Sequence, residues 1–167
     1  MQDGLLVDNA GLILLHPFLQ YFFQELGLLE GEQLQQSKDI AVHLLHYLAT
    51  GKEQAADFEL VFEKYLCGLK PSQVTYRYTR LTDKMKTEAE TLLSSVIKHW
   101  PVLKNTSDSG LQEGFLQRKG KLIMKEDSHK LIMERSTLDI LLGQLPWNIS
   151  LVKLPWIRQM IHVEWAS

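Results

Sequence analysis

Two histidines, His43 and His46, stand three residues apart, the spacing at which one helix face brings two imidazoles within reach of a single metal ion. A metal centre needs a third and a fourth ligand nearby, and neither a His-Glu-x-x-His nor a Glu-x-x-His pattern supplies them. The pair therefore reads as two partly exposed helix residues flanking an apolar stripe. Cys67, the single cysteine, would need a histidine and an orienting Asn or Asp to act as a nucleophile. At the end of an apolar helix face it reads instead as a buried structural thiol. One cysteine cannot form an intrachain disulfide, which points to synthesis in a reducing cytoplasm. No glycine-rich phosphate loop, G-x-S-x-G elbow or dinucleotide fingerprint occurs. The residues give catalysis no support and call for no cofactor and no metal.

Composition narrows the classes further. The 167 residues are 45% hydrophobic and 23% charged, which fits one domain over 1–167 with a sizeable core. No run reaches the roughly 18 apolar residues of a membrane span. The longest candidate, over 12–23, is interrupted by His16, Pro17 and Gln20. No basic N-terminal region marks a secretory signal. Residues 1–66 carry a net charge of −7 and residues 67–167 a net charge of +5. The basic residues are scattered, and Tyr76-Arg77-Tyr78-Thr79-Arg80 is the one basic-aromatic cluster. That is a poor match to a nucleic-acid footprint and a better one to a dipolar module that meets protein neighbours.

The elements that hold these residues follow from hydrophobic period. A short extended lead-in ends at the turn signal Asp8-Asn9-Ala10-Gly11. Helices are predicted over 16–25, 32–50, 57–66, 82–100 and 111–117. Pro17 sits in the first turn of the first, Thr82 is the N-cap of the fourth, and Gly51 stops the second. Residues 71–80 read as a loop or short strand. The predicted core is Leu44, Leu48, Phe58, Phe62, Leu66, Leu92, Val96 and Trp100.

After Gly120 the period changes. Lys-Leu-Ile-Met occurs at 121–124 and again at 130–133, separated by the polar turn Glu126-Asp127-Ser128, which predicts an antiparallel hairpin of strands 121–125 and 130–135. Three consecutive apolar residues per strand predict that both faces are at least partly covered. Residues 138–165 are the most apolar stretch, with Trp147, Trp156 and Trp165 nine residues apart. A helical turn at 138–143 and strands near 149–154 and 161–165 are expected there. The predicted architecture is α+β, with a helical N-terminal two-thirds (helices about 16–118) followed by a small antiparallel sheet (hairpin and Trp-rich segment about 120–167).

Several strings go beyond composition. They include Asn9-Ala10-Gly11-Leu12-Ile13-Leu14-Leu15-His16-Pro17-Phe18-Leu19, Leu44-Leu45-His46-Tyr47-Leu48-Ala49-Thr50-Gly51 and Leu66-Cys67-Gly68-Leu69. Others are His99-Trp100-Pro101-Val102-Leu103-Lys104-Asn105-Thr106-Ser107, Gly114-Phe115-Leu116-Gln117-Arg118 and Asp139-Ile140-Leu141-Leu142, with Leu145-Pro146-Trp147, Lys153-Leu154-Pro155-Trp156 and Val163-Glu164-Trp165. In this order the set resembles the contractile injection system tape measure protein family of phage-tail-like particles, over nearly the whole chain. The resemblance implies a non-enzymatic structural or assembly role. The chain would be made in the bacterial cytoplasm and then held in the particle, with baseplate hub and inner-tube proteins as partners and self-association as a further option. A helical ruler gains only about 1.5 Å per residue, and no long uncapped helix is evident, so the likeness is to a globular, anchoring region. An assembly chaperone or adaptor that leaves the finished particle is the alternative. The candidate partner-binding residues are Trp147, Trp156, Trp165, Leu145 and Leu154, since buried aromatic anchors dominate interface energy. Each of the first two tryptophans follows Leu-Pro, which stiffens the segment that presents it.

Overall fold

The computed structural model describes residues 4–34 and 38–165. Its organising feature begins at Asn9, which adopts a left-handed conformation at φ 60°. Asparagine tolerates this region, and here it turns the chain from strand β1 (Leu5–Val7) into a 3-10 helix, Ala10–Leu15. That segment is apolar on every side, and all six of its residues are buried. Helix α1 (His16–Glu25) continues from it with Pro17 in the first turn and buries Leu19, Phe22 and Phe23.

The expected helix over 32–50 is shorter. Its start is taken by a two-stranded hairpin, β2 (Leu29–Glu30) and β3 (Gln33–Leu34), which turns through Gly31 at φ 64°. Residues 35–37 lie outside the described residues, and α2 runs Asp39–Thr50 to the left-handed Gly51. A 3-10 turn (Asp57–Leu60) leads into α3 (Val61–Leu66). Helix α4 (Asp83–His99) begins at Thr82, whose hydroxyl accepts from the backbone N–H of Met85 at 3.1 Å. Helix α5 (Asp108–Leu111) passes directly into a π-helical turn, Gln112–Leu116.

Strands β4 (Gly120–Met124) and β5 (His129–Met133) form the predicted hairpin, with Leu122 opposite Leu131. A 3-10 helix (Thr137–Gln144), the short β6 (Leu151–Val152) and β7 (Ile161–Trp165) follow. The strand order is β1-β4-β5-β7-β6. Leu122, Leu131, Met133, Ile161 and Val163 face the core, while Lys121, Lys130, His162 and Glu164 face outward beside the half-buried Ile123 and Ile132.

This corrects the predicted division into a helical two-thirds and a trailing antiparallel sheet. Strands are interspersed: β1 comes from the extreme N-terminal part and joins the sheet beside β4. The sheet is also mixed, because β7 pairs parallel to β5. A parallel neighbour needs a long crossover, and residues 134–160, which carry two of the spaced tryptophans, form it. A three-residue strand is too short to show a period of two, so β1's membership could not be read locally.

The core contains Leu44, Leu48, Phe62, Leu66, Leu92, Val96 and Trp100, as expected. Phe58 is the exception, at 77% exposed. It lies in the 3-10 turn before α3, and three residues per turn put it out of phase with the α-helical stripe that starts at Val61.

Candidate functional site

The three spaced tryptophans are each half-buried, and each turns its polar edge inward. Trp147 Nε1 donates to the Leu14 carbonyl at 2.9 Å, and its ring meets Phe18 edge-on with centroids 5.1 Å apart. Trp156 Nε1 donates to the Leu66 carbonyl at 2.7 Å, and its ring lies 5.6 Å from Phe23. Trp165 Nε1 donates to the Ile149 carbonyl at 2.9 Å, beneath the Arg118 guanidinium at 5.9 Å. The crossover is thus strapped to the Ala10–Leu15 segment and α1, to the end of α3 and to strand β7. His16 Nε2 adds a bond to the Asn148 carbonyl at 2.6 Å. Leu145 is half-buried with an extended backbone, as proline at 146 requires of its predecessor, and Leu154 is buried. The five residues do not form one patch: Leu154 faces the core, and each tryptophan leaves part of its ring at the surface.

The histidines are more enclosed than their helix position suggested. His43 and His46 are both buried. His43 Nδ1 donates to the Glu53 carbonyl at 3.2 Å, and burial lowers its pKa. His46 Nδ1 lies 2.7 Å from Glu63 Oε2, which also accepts from Asn9 Nδ2 at 3.0 Å. Burial raises the Glu63 pKa, and its Oε1 is without a hydrogen-bond partner. The two histidines therefore serve different elements: one pins the 50–56 connection, the other ties α2 to α3 and to the left-handed turn at Asn9. Among the described residues no group of three His, Cys, Asp or Glu side chains converges as a metal site. Cys67 is buried, and burial pushes its thiol well above the ordinary value, which disfavours the nucleophilic thiolate. No helix among the described residues is long and apolar enough to cross a membrane.

A second surface was marked in the sequence only by its basic-aromatic letters. Residues 71–80 pass over the end of α3 without regular structure, with Tyr76, Arg77 and Tyr78 pointing to solvent between the buried Thr75 and Thr79. What fixes them is Lys64, a charged residue inside the apolar stripe of α3 that the hydrophobic period alone would place at the surface.

These ionisable groups are committed to holding the chain's own packing. The model of the contractile injection system tape measure protein family matches residues 1–165, and the chain belongs to that family. It is thus related to structural components of contractile injection particles. No curated protein and no solved structure matches it significantly.

Proposed function

We propose that this chain is a non-enzymatic assembly component of a contractile injection particle, one that anchors at the baseplate hub and inner tube and takes part in setting tube length. The observation that carries this reading is the family match over residues 1–165. Residues 1–167 act as one domain, made in the cytoplasm and then incorporated. The partly exposed Trp147, Trp156 and Trp165, with Leu145 near the first and Leu154 fixing the strap from inside, are proposed as separate points of contact with the hub. Rigid presentation supports this role, because side chains already held in place lose little entropy on binding.

One observation favours a second reading. The longest described helix, α4, has 17 residues and spans about 25 Å at 1.5 Å per residue. A module of this shape also suits a chaperone or adaptor that binds particle components without being retained. Deleting the gene and imaging the particles tests both. Tubes of uncontrolled length, together with the chain's presence in purified wild-type particles, support the anchoring reading. Defective particles combined with its absence from purified wild-type particles support the chaperone. Normal particles in the deletion strain overturn both.

A further inference from the structure

Surface loops do not need a buried charge, yet one is built beneath residues 71–80. Lys64 is 1% exposed. Its ammonium donates to Asp57 Oδ2 at 2.8 Å and to the carbonyls of Pro71 and Gln73 at 2.9 and 3.0 Å, using all three protons. Asp57 accepts in turn from the Thr75 backbone N–H at 3.2 Å and the Thr75 hydroxyl at 3.3 Å. The Thr79 hydroxyl donates to the Tyr76 carbonyl at 2.6 Å, and Glu53 accepts from the Leu81 N–H at 2.6 Å. Burying an ammonium is costly unless every proton is matched, so the matched set fixes the loop in one shape.

The shape displays apolar surface. Val74 is 77% exposed, Tyr76 62% and Tyr78 61%. The two tyrosine rings meet edge-on at 5.9 Å, and with Ala56, Asp57 and Val74 they line an open cleft of ≈ 510 Å³. Single exposed apolar residues are ordinary, but a rigid cluster of them marks a contact site, and tyrosine and arginine are the types that carry interface energy. The charge around it is weighted to the basic side, because the two carboxylates at the loop are already taken up: Asp57 by Lys64 at 2.8 Å and Glu53 by Lys86 at 3.5 Å. Between positions 70 and 86 stand five basic residues and one acid. Arg77 and Arg80 are exposed and make no ion pair among the described residues, and the Arg77 guanidinium lies over the Tyr78 ring at 5.7 Å.

We propose that the 71–80 loop is a docking surface for an acidic, apolar segment of a partner protein, with Tyr76 and Tyr78 as anchors and Arg77 and Arg80 pairing its carboxylates. The inference stands on this geometry and does not depend on the particle reading. It predicts both halves of the recognition: the rings favour apolar side chains, and the exposed guanidinium groups of Arg77 and Arg80 favour negative charge between them.

The test is an NMR titration of the full chain with a 15-residue peptide alternating Asp or Glu with Leu or Phe. A control peptide carries Lys at each acidic position. The expected result is saturable shifts confined to 74–80 for the acidic peptide and none for the control. Arg77→Glu and the double change Tyr76→Ala/Tyr78→Ala should each weaken binding at least tenfold. Both alter exposed side chains, so an unchanged melting temperature separates lost binding from lost fold. Equal binding of the lysine peptide, no saturable binding, or indifference to Arg77→Glu overturns the proposal. Tighter binding of an oligothymidine strand assigns the loop to nucleic acid and overturns it too. Self-association of the free protein that vanishes with the double tyrosine change does the same in favour of a second copy.

Discussion

Trp147 and Leu14 are joined by an indole-to-carbonyl hydrogen bond of 2.9 Å across 133 residues of sequence. The bond ties the crossover to the first buried helical segment. Trp147→Phe keeps the ring against Phe18 and removes the donor. It should cost about 1–3 kcal/mol, the range for leaving a half-buried polar group without its partner. Urea unfolding at fixed pH measures this. A loss of particle incorporation larger than that destabilisation explains would place the ring in a contact as well as in the fold.

Phe62 is fully buried and stacks on Tyr65 with centroids 5.9 Å apart. Phe62→Ala should destabilise by about 3–5 kcal/mol through lost burial and the cavity left behind. Phe58→Ala, four residues earlier, should stay within about 0.5 kcal/mol, because the side chain meets solvent. Equal effects in paired melts would contradict the packing described for α3.

Gly11 is close to another stretch of backbone: a Cβ there would lie 1.7 Å from the Phe115 carbonyl oxygen. Gly11→Ala should therefore displace the π-helical turn and leave little folded protein at 37 °C, seen as loss of near-UV circular dichroism. Gly143 has open space around its missing Cβ. Gly143→Ala should be neutral or stabilise by up to about 1 kcal/mol, since it narrows the unfolded ensemble.

The buried Glu63 makes stability depend on pH in a definite direction. Burial raises its folded-state pKa above the ordinary 4.5, so the native state holds the proton more tightly than the unfolded state does. Its favourable contribution is complete below the unfolded pKa and is lost as pH rises through the folded one. In Glu63→Gln that loss disappears. The unfolding free energy of the variant minus that of the wild type should climb with pH above about 4.5. A difference that is flat or falls would show that the carboxyl is ionised throughout and held by His46.

The amphipathic stripes of α3 and α4, the hairpin at 120–133 and strand β7 were all visible in the letters, because each has a period long enough to count. The parts that escaped are those whose partners lie far away. Leu5–Val7 is too short for a period and gains its place only from β4. Residues 32–34 fall inside the predicted helix over 32–50, although Gly31 offered a turn just before them. The tryptophan spacing was seen, but not that each indole would point back to a backbone carbonyl of its own chain. Lys64 carries no local signal, since a lysine within an apolar stripe looks like an interruption, and only the fold brings Asp57, Pro71 and Gln73 around it.

The strand order also governs when the molecule can become itself. Strand β7 lies between β5 and β6, so the sheet lacks an interior member until residues 161–165 exist. During translation the helices emerge first, with Leu5–Val7 waiting for β4 and the hairpin then waiting for the last strand. Such long-range pairing is slow and cannot be finished early. A ribosome that stalls before this point releases a chain with an unpaired sheet edge and an open core, a ready substrate for proteases. Only copies translated through residue 165 can complete the sheet and close the core beneath it.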